Sequence, residues 1–195
     1  MEVMSTVKPA KTNTQISFTT ELFAIGDWTI LLLPEAESAK LPTRGQTMVE
    51  GTVNGMQVTT PLEPDGRWSH WLRIDTALGK AIQAKAGDIV TVMFEPVKTW
   101  PEPDVPADIQ KALASHPDVH DLWQRITPLA RWEWIRWIRS TSRDETRKHR
   151  IEVACSKLHK GMRRPCCWNR NACTEPAVSK NGVLLTPAGS DKSKS

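Results

Sequence analysis

Residues Arg131 to Arg150 read RWEWIRWIRSTSRDETRKHR, with Trp132, Trp134 and Trp137 inside six residues and cations on both sides of them. Guanidinium and ammonium groups hold phosphates, and indole rings stack on bases, so this composition fits recognition of an anion or a nucleic acid. Arg143, Arg150 and Lys157 recur every seven residues. On a helix that spacing lines one flank, with about 10 Å between successive charges. Arg163, Arg164 and Arg170 extend the positive stretch. Arg143, Arg150, Lys157, Arg163 and Arg164 are therefore the candidate anion- or phosphate-binding set; the competing reading is a solvated helix face.

Plotted at 100° per residue, Ala130, Trp134, Ile135, Trp137 and Ile138 fall on one broad side, the stripe of a core-facing helix. Trp132 points the other way, among Arg136 and Arg139. It is either a stacking platform or a ring covered by Arg136 one turn on, or by the proline-rich stretch upstream. Arg147 falls at the leading edge of a second stripe, Ile151, Ala154, Cys155 and Leu158, where an internal ion pair or cation–π strut is expected.

Catalytic constellations do not assemble. No glycine-rich phosphate loop, Gly-x-Ser-x-Gly elbow or His-Glu-x-x-His helix is present. His70 lies between Trp68 and Leu72 on an apolar strand face, either as a satisfied core histidine or as the polar group of a barrel pocket. Cys155 and His159 stand one helical turn apart, but Cys166, Cys167 and Cys173 lack paired zinc-type spacing. Reduced thiols, no metal, no cofactor and no catalytic residue are expected.

Charge is uneven. Residues 1–130 carry 11 Lys or Arg against 16 Asp or Glu, a balance of −5, whereas residues 131–195 carry 15 against 6, a balance of +9. The C-terminal part thus calls for an anionic partner, an acidic protein or a nucleic acid. The N-terminal stretch holds no apolar run suited to a signal peptide, and WTILLLP is too short to cross a bilayer. A cytoplasmic protein without membrane insertion is expected.

The elements that must position these groups divide at a proline-rich linker. ISFTTELFAI and WTILLLP flank Gly26-Asp27, TMVEGTV and MQVTT flank Asn54-Gly55, and RWSHWLRI and IVTVMFEP complete six strands. In RWSHWLRI, Trp68, His70, Leu72 and Ile74 share one face, and Arg67, Ser69, Trp71 and Arg73 the other. DTALGKAIQA reads as a short helix capped by Asp75. After the linker, Pro106, Pro117 and Thr127-Pro128 open three helices, and Ser142 with Glu145 forms a capping box for a fourth that ends at Gly161. The fold expected is α+β: a flexible stretch at 1–14, a small six-stranded β-barrel at 15–98, a linker at 99–105, a three- or four-helix module at 106–166 and a largely disordered tail at 167–195.

The pattern WIRSTSRDETRKHRIEVACSKLHKGMRRPC resembles the YdeI/OmpD-associated, or bacteriocin-protection, family. The resemblance rests on Trp137, Ile138, Glu145-Thr146-Arg147, Arg150-Ile151, Leu158 and Gly161, with VPADIQKALASHPDV similar to its first helix. LLLPE, VEGTVNGMQVTTPLEPDG and AGDIVTVMFE resemble the small domain of unknown function often fused ahead of it. The resemblance implies a double-split barrel, distantly akin to AbrB and MazE regulators. It further implies an accessory role in stress or bacteriocin tolerance, with Glu145, Thr146 and Arg147 as a structural motif and no catalytic residue to carry over. Thr141-Ser142 stand where the family commonly has Ala-Lys.

Overall fold

The computed structural model describes residues 15–141, 143–165, 177–179 and 182–186. The expected flexible stretch at 1–14, Ser142, Cys166, Cys167, Arg170 and Cys173 lie outside them.

Six antiparallel strands close into a barrel: β1 (Ile16–Ile25), β2 (Trp28–Leu32), β3 (Thr47–Val53), β4 (Met56–Pro64), β5 (His70–Ile74) and β6 (Ile89–Pro96), in the order β1-β2-β5-β4-β3-β6. Alternation sets the inside. In β6, Val90, Val92 and Phe94 are fully buried, whereas Ile89 and Met93 face out. Asn54 and Gly55 turn the β3–β4 hairpin with φ of 49° and 78°, as a type I′ turn requires. Gly51 lets β3 approach β6 closely, since a Cβ there would lie 1.9 Å from the Met93 carbonyl oxygen.

Two short helices close the barrel, α1 (Glu35–Ser38) and α2 (Thr76–Ile82). Asp75 caps α2 as expected, accepting the Leu78 N–H at 2.8 Å. One expectation fails. β5 starts at His70, and Trp68 does not share its face: Trp68 has φ of 79° and is 72 % exposed. The cause is a local turn in which the Asp65 carboxylate accepts from both Arg67 N and Ser69 N, holding 65–69 out of the sheet.

Four helices follow: α3 (Ala107–Ala114), α4 (Pro117–Arg125), α5 (Pro128–Arg139) and α6 (Asp144–His159). Thr127 caps α5 through the Ala130 N–H, with Pro128 in the first turn. Trp134, Ile135 and Ile138 are almost completely buried against Ile109, Trp123, Ile151 and Leu158. α6 starts at Asp144 with Arg143 as N-cap, whose own side chain makes no capping bond, and the capping box expected of Ser142 and Glu145 rests on Ser142, outside the described residues.

The linker is glued to the helical module. The buried Arg131 guanidinium donates to the carbonyls of Trp123, Gln124 and Ile126 and pairs with Glu102. Trp132 Nε1 donates to the Pro101 carbonyl at 2.8 Å, and its ring meets Trp100 edge-on.

Within the stretch expected to be a largely disordered tail, residues 177–179 and 182–186 are described and pack on the barrel. Ala177 and Leu184 are buried with Ile25, Ile30 and Trp71 on the outside of the barrel. Val178 bridges Leu184, and the Leu184 N–H donates to the Asp65 carbonyl at 2.9 Å. Within the short apolar run Val183-Leu184-Leu185, Leu184 is buried against β1, β2 and β5, Val183 is half-buried and Leu185 stays exposed.

Candidate functional site

A cavity of about 730 Å³ lies between the barrel and the helical module. The barrel side brings Trp28, Glu63, Trp71 and Arg73; the helical side brings Trp132, Ile135, Arg136, Arg139 and Arg147; Val178 and Gly182 of the C-terminal strap form an edge. Strand alternation explains the barrel side: with Leu72 and Ile74 turned inward, Trp71 and Arg73 must face out. On α5, Trp132, Arg136 and Arg139 form the side opposite the core stripe.

Each arginine is held differently. Arg73 lies over the Trp28 ring at 4.1 Å, and Trp28 in turn stacks on Trp71. Arg136 pairs with Glu63 and so ties α5 to β4 across the cleft. Burial raises the Glu63 pKa above its ordinary value, against the opposing pull of Arg136 and of the Gln46 amide, which donates to Glu63 at 2.7 Å. Arg147 grips Asp108 with two bonds of 2.6 and 2.9 Å, joining α6 to α3.

Arg139 is the exception. Burial, and next the neighbouring Arg147, push its guanidinium below its ordinary pKa, with Arg73 adding to the effect; Asp104 and Asp108 pull the other way. Among the described residues no acid is in contact with it. Three guanidiniums, from Arg73, Arg139 and Arg147, therefore meet at one cleft with incomplete compensation. Such a site attracts anions and offers planar donor forks to their oxygens.

The sequence-predicted row is not one surface. Arg143, Arg163 and Arg164 are exposed, and Arg164 pairs with Glu133 at 3.3 Å. Arg150, expected on the solvated flank, is 7 % exposed and must be taken out of the row. It donates to the Trp137 carbonyl at 2.7 Å and to Ser140 Oγ at 2.5 Å, satisfying groups at the end of α5. Lys157 is half-buried, 5.6 Å from the centre of the Trp137 ring. Two of the three regularly spaced cations thus converge on one tryptophan. Glu145 lies exposed in the first turn of α6, Thr146 is half-buried beside it, and Arg147 is the strut just described.

His70 is fully buried, and both ring nitrogens are engaged, Nδ1 with Ser38 Oγ at 2.7 Å and Nε2 with the Gly45 carbonyl at 2.8 Å. Since a carbonyl can only accept, Nε2 carries the proton and Nδ1 accepts from serine. His159 binds Asp118 at 2.6 Å, and burial raises the Cys155 thiol pKa. No cluster suited to a metal occurs among the described residues. No helix among them is long and apolar enough to cross a membrane.

Sequence reasoning missed the cleft. Its two halves were visible separately, as the Trp71–Arg73 face of β5 and the Trp132–Arg136–Arg139 side of α5, but nothing local says that they meet.

Among curated proteins, none matches the chain. Residues 18–93 match a domain of unknown function, DUF1905, and residues 102–161 match the family described as bacteriocin-protection, YdeI or OmpD-associated. The two arginine-bearing walls of the cleft, β5 and α5, fall one in each match, and the chain thus carries a helical module that matches the YdeI/OmpD-associated family, preceded by a barrel that matches DUF1905.

Proposed function

We propose that this chain is a cytoplasmic, non-catalytic accessory protein that binds an anionic partner in the cleft between its modules. The family's description brings a role in bacteriocin protection to this reading. Arg139 carries it: an exposed cation on the cleft wall with no acid in contact among the described residues, lining the same cleft as Arg73 and Arg147. A protein gains little stability from keeping like charges together, so a bound anion is the natural compensation. The partner would be steered by the positive C-terminal part and held by the guanidinium forks.

The test is thermal unfolding at constant ionic strength, exchanging chloride for phosphate. The wild type should gain melting temperature with phosphate concentration, as ligand linkage requires. Arg139→Ala should lose that gain, and Arg143→Ala, at an exposed site away from the cleft, should keep it. Equal response in both variants would remove the cleft from the proposal.

Exposed Arg143, Arg163 and Arg164 favour a second reading, an oligonucleotide held on phosphates with no base-specific contact. It predicts binding that falls steeply with salt, with a shallower slope in Arg163→Ala, Arg164→Ala. Trp132 adds little to it, being pinned to the linker through its N–H.

A further inference from the structure

Resting on the reading of the cleft as an anion site, we infer that its occupant is a small aromatic anion: a flat ring system bearing one phosphate or carboxylate group. Three features carry this. The cavity of about 730 Å³ is of the size that encloses a drug- or mononucleotide-sized body. The Glu63–Arg136 pair joins β4 to α5, both lining the cleft, which suits a compact occupant better than a continuous acidic chain. The lining sets charge and flat apolar surface side by side.

The flat surface is already layered. Trp71 stacks on Trp28 with centroids 6.2 Å apart, and Arg73 lies 4.1 Å over Trp28. Trp28 holds one face of the Arg73 guanidinium, which leaves the opposite face for an aromatic ring and the in-plane N–H groups for an oxyanion. Trp132 has its only polar hydrogen bound to Pro101, so the rest of its ring is an apolar wall, continued by Ile135. Arg139 and Arg147 then take the anionic group while the ring lies against Arg73.

The experiment is calorimetric titration of the full chain with methyl phosphate, 1-naphthyl phosphate and a hexaglutamate peptide. The inference expects 1-naphthyl phosphate to bind about tenfold or more tighter than methyl phosphate, the increment of one stacked ring. Arg139→Ala should weaken both phosphates. Arg73→Lys keeps the charge but removes the plane, so it should abolish the naphthyl advantage and spare methyl phosphate.

Equal affinity of the two phosphates in the wild type would overturn the aromatic inference and leave the anion-binding reading standing. Hexaglutamate binding tighter than naphthyl phosphate would overturn it in favour of an acidic chain. Absence of binding by all three would overturn both. The wild-type comparison decides the matter even if a variant fails to fold.

Discussion

The Arg150 guanidinium sits 5.4 Å from the centre of the Trp137 ring and donates to the carbonyl of the same residue at 2.7 Å. One side chain of α6 thus satisfies a terminal carbonyl of α5 and covers its indole. That relationship converts the middle member of a regular cationic row into a fastener between two helices.

Arg150→Ala should therefore act on stability rather than on anion binding. It removes the charged donor from Ser140 and from the part-buried Trp137 carbonyl, to which Ser140 Oγ still donates at 2.8 Å, a loss of about 1–3 kcal/mol. Urea unfolding should show a lower midpoint. Phosphate-dependent stabilisation, measured as a shift relative to each protein's own midpoint, should be unchanged.

His70 makes the barrel sensitive to mild acid. Burial lowers its pKa below the ordinary histidine value, outweighing the bond to Gly45. The stability tied to its neutral form is fully present above the unfolded pKa, about 6.5, and is lost as pH falls through the lower folded value. Denaturant midpoints should drop between pH 7 and pH 5, and His70→Gln should flatten that dependence. Ser38→Ala, which leaves Nδ1 without a donor, should cost about 1–3 kcal/mol at pH 7.

Asp108 titrates in the opposite setting. Its bonds to Arg147 lower its pKa, so the contribution is present above the unfolded carboxylate value and lost as pH falls through the folded one. The pair is partly exposed, which limits it to about 0.2–1 kcal/mol. Asp108→Asn should remove that amount at pH 7 and progressively less as pH falls through the folded value. With Asp108 neutral, Arg147 is also released toward the cleft, and phosphate should bind more tightly.

The C-terminal strap should detach separately from the barrel. Leu184→Ala removes an apolar anchor that is 5 % exposed on the outer face of the barrel. Hydrogen exchange at the Leu184 amide, which donates to Asp65, should accelerate while the barrel amides of β1 and β6 keep their protection. Equal acceleration throughout would show the strap to be part of the barrel's cooperative unit.

What the sequence determined by itself is local. Asn54-Gly55, Asp75 and Thr127-Pro128 mark turns and helix starts because their conformations and hydrogen bonds close within a few residues. The stripes of β6, α5 and α6 identify the core because the periods of strand and helix are fixed. The same logic stopped at every group whose partner is distant. A seven-residue spacing puts Arg143, Arg150 and Lys157 on one flank of α6, but whether that flank meets water or the end of α5 depends on helix packing. The Arg73 side of β5 and the Arg139 side of α5 read as two solvated faces until barrel and helices are set against each other. Leu184 reads as tail until the outer face of β1–β2–β5 is there to cover it. Charge compensation and burial act through space, so the cleft, the buried Arg150 and the strap belong to the tertiary structure alone.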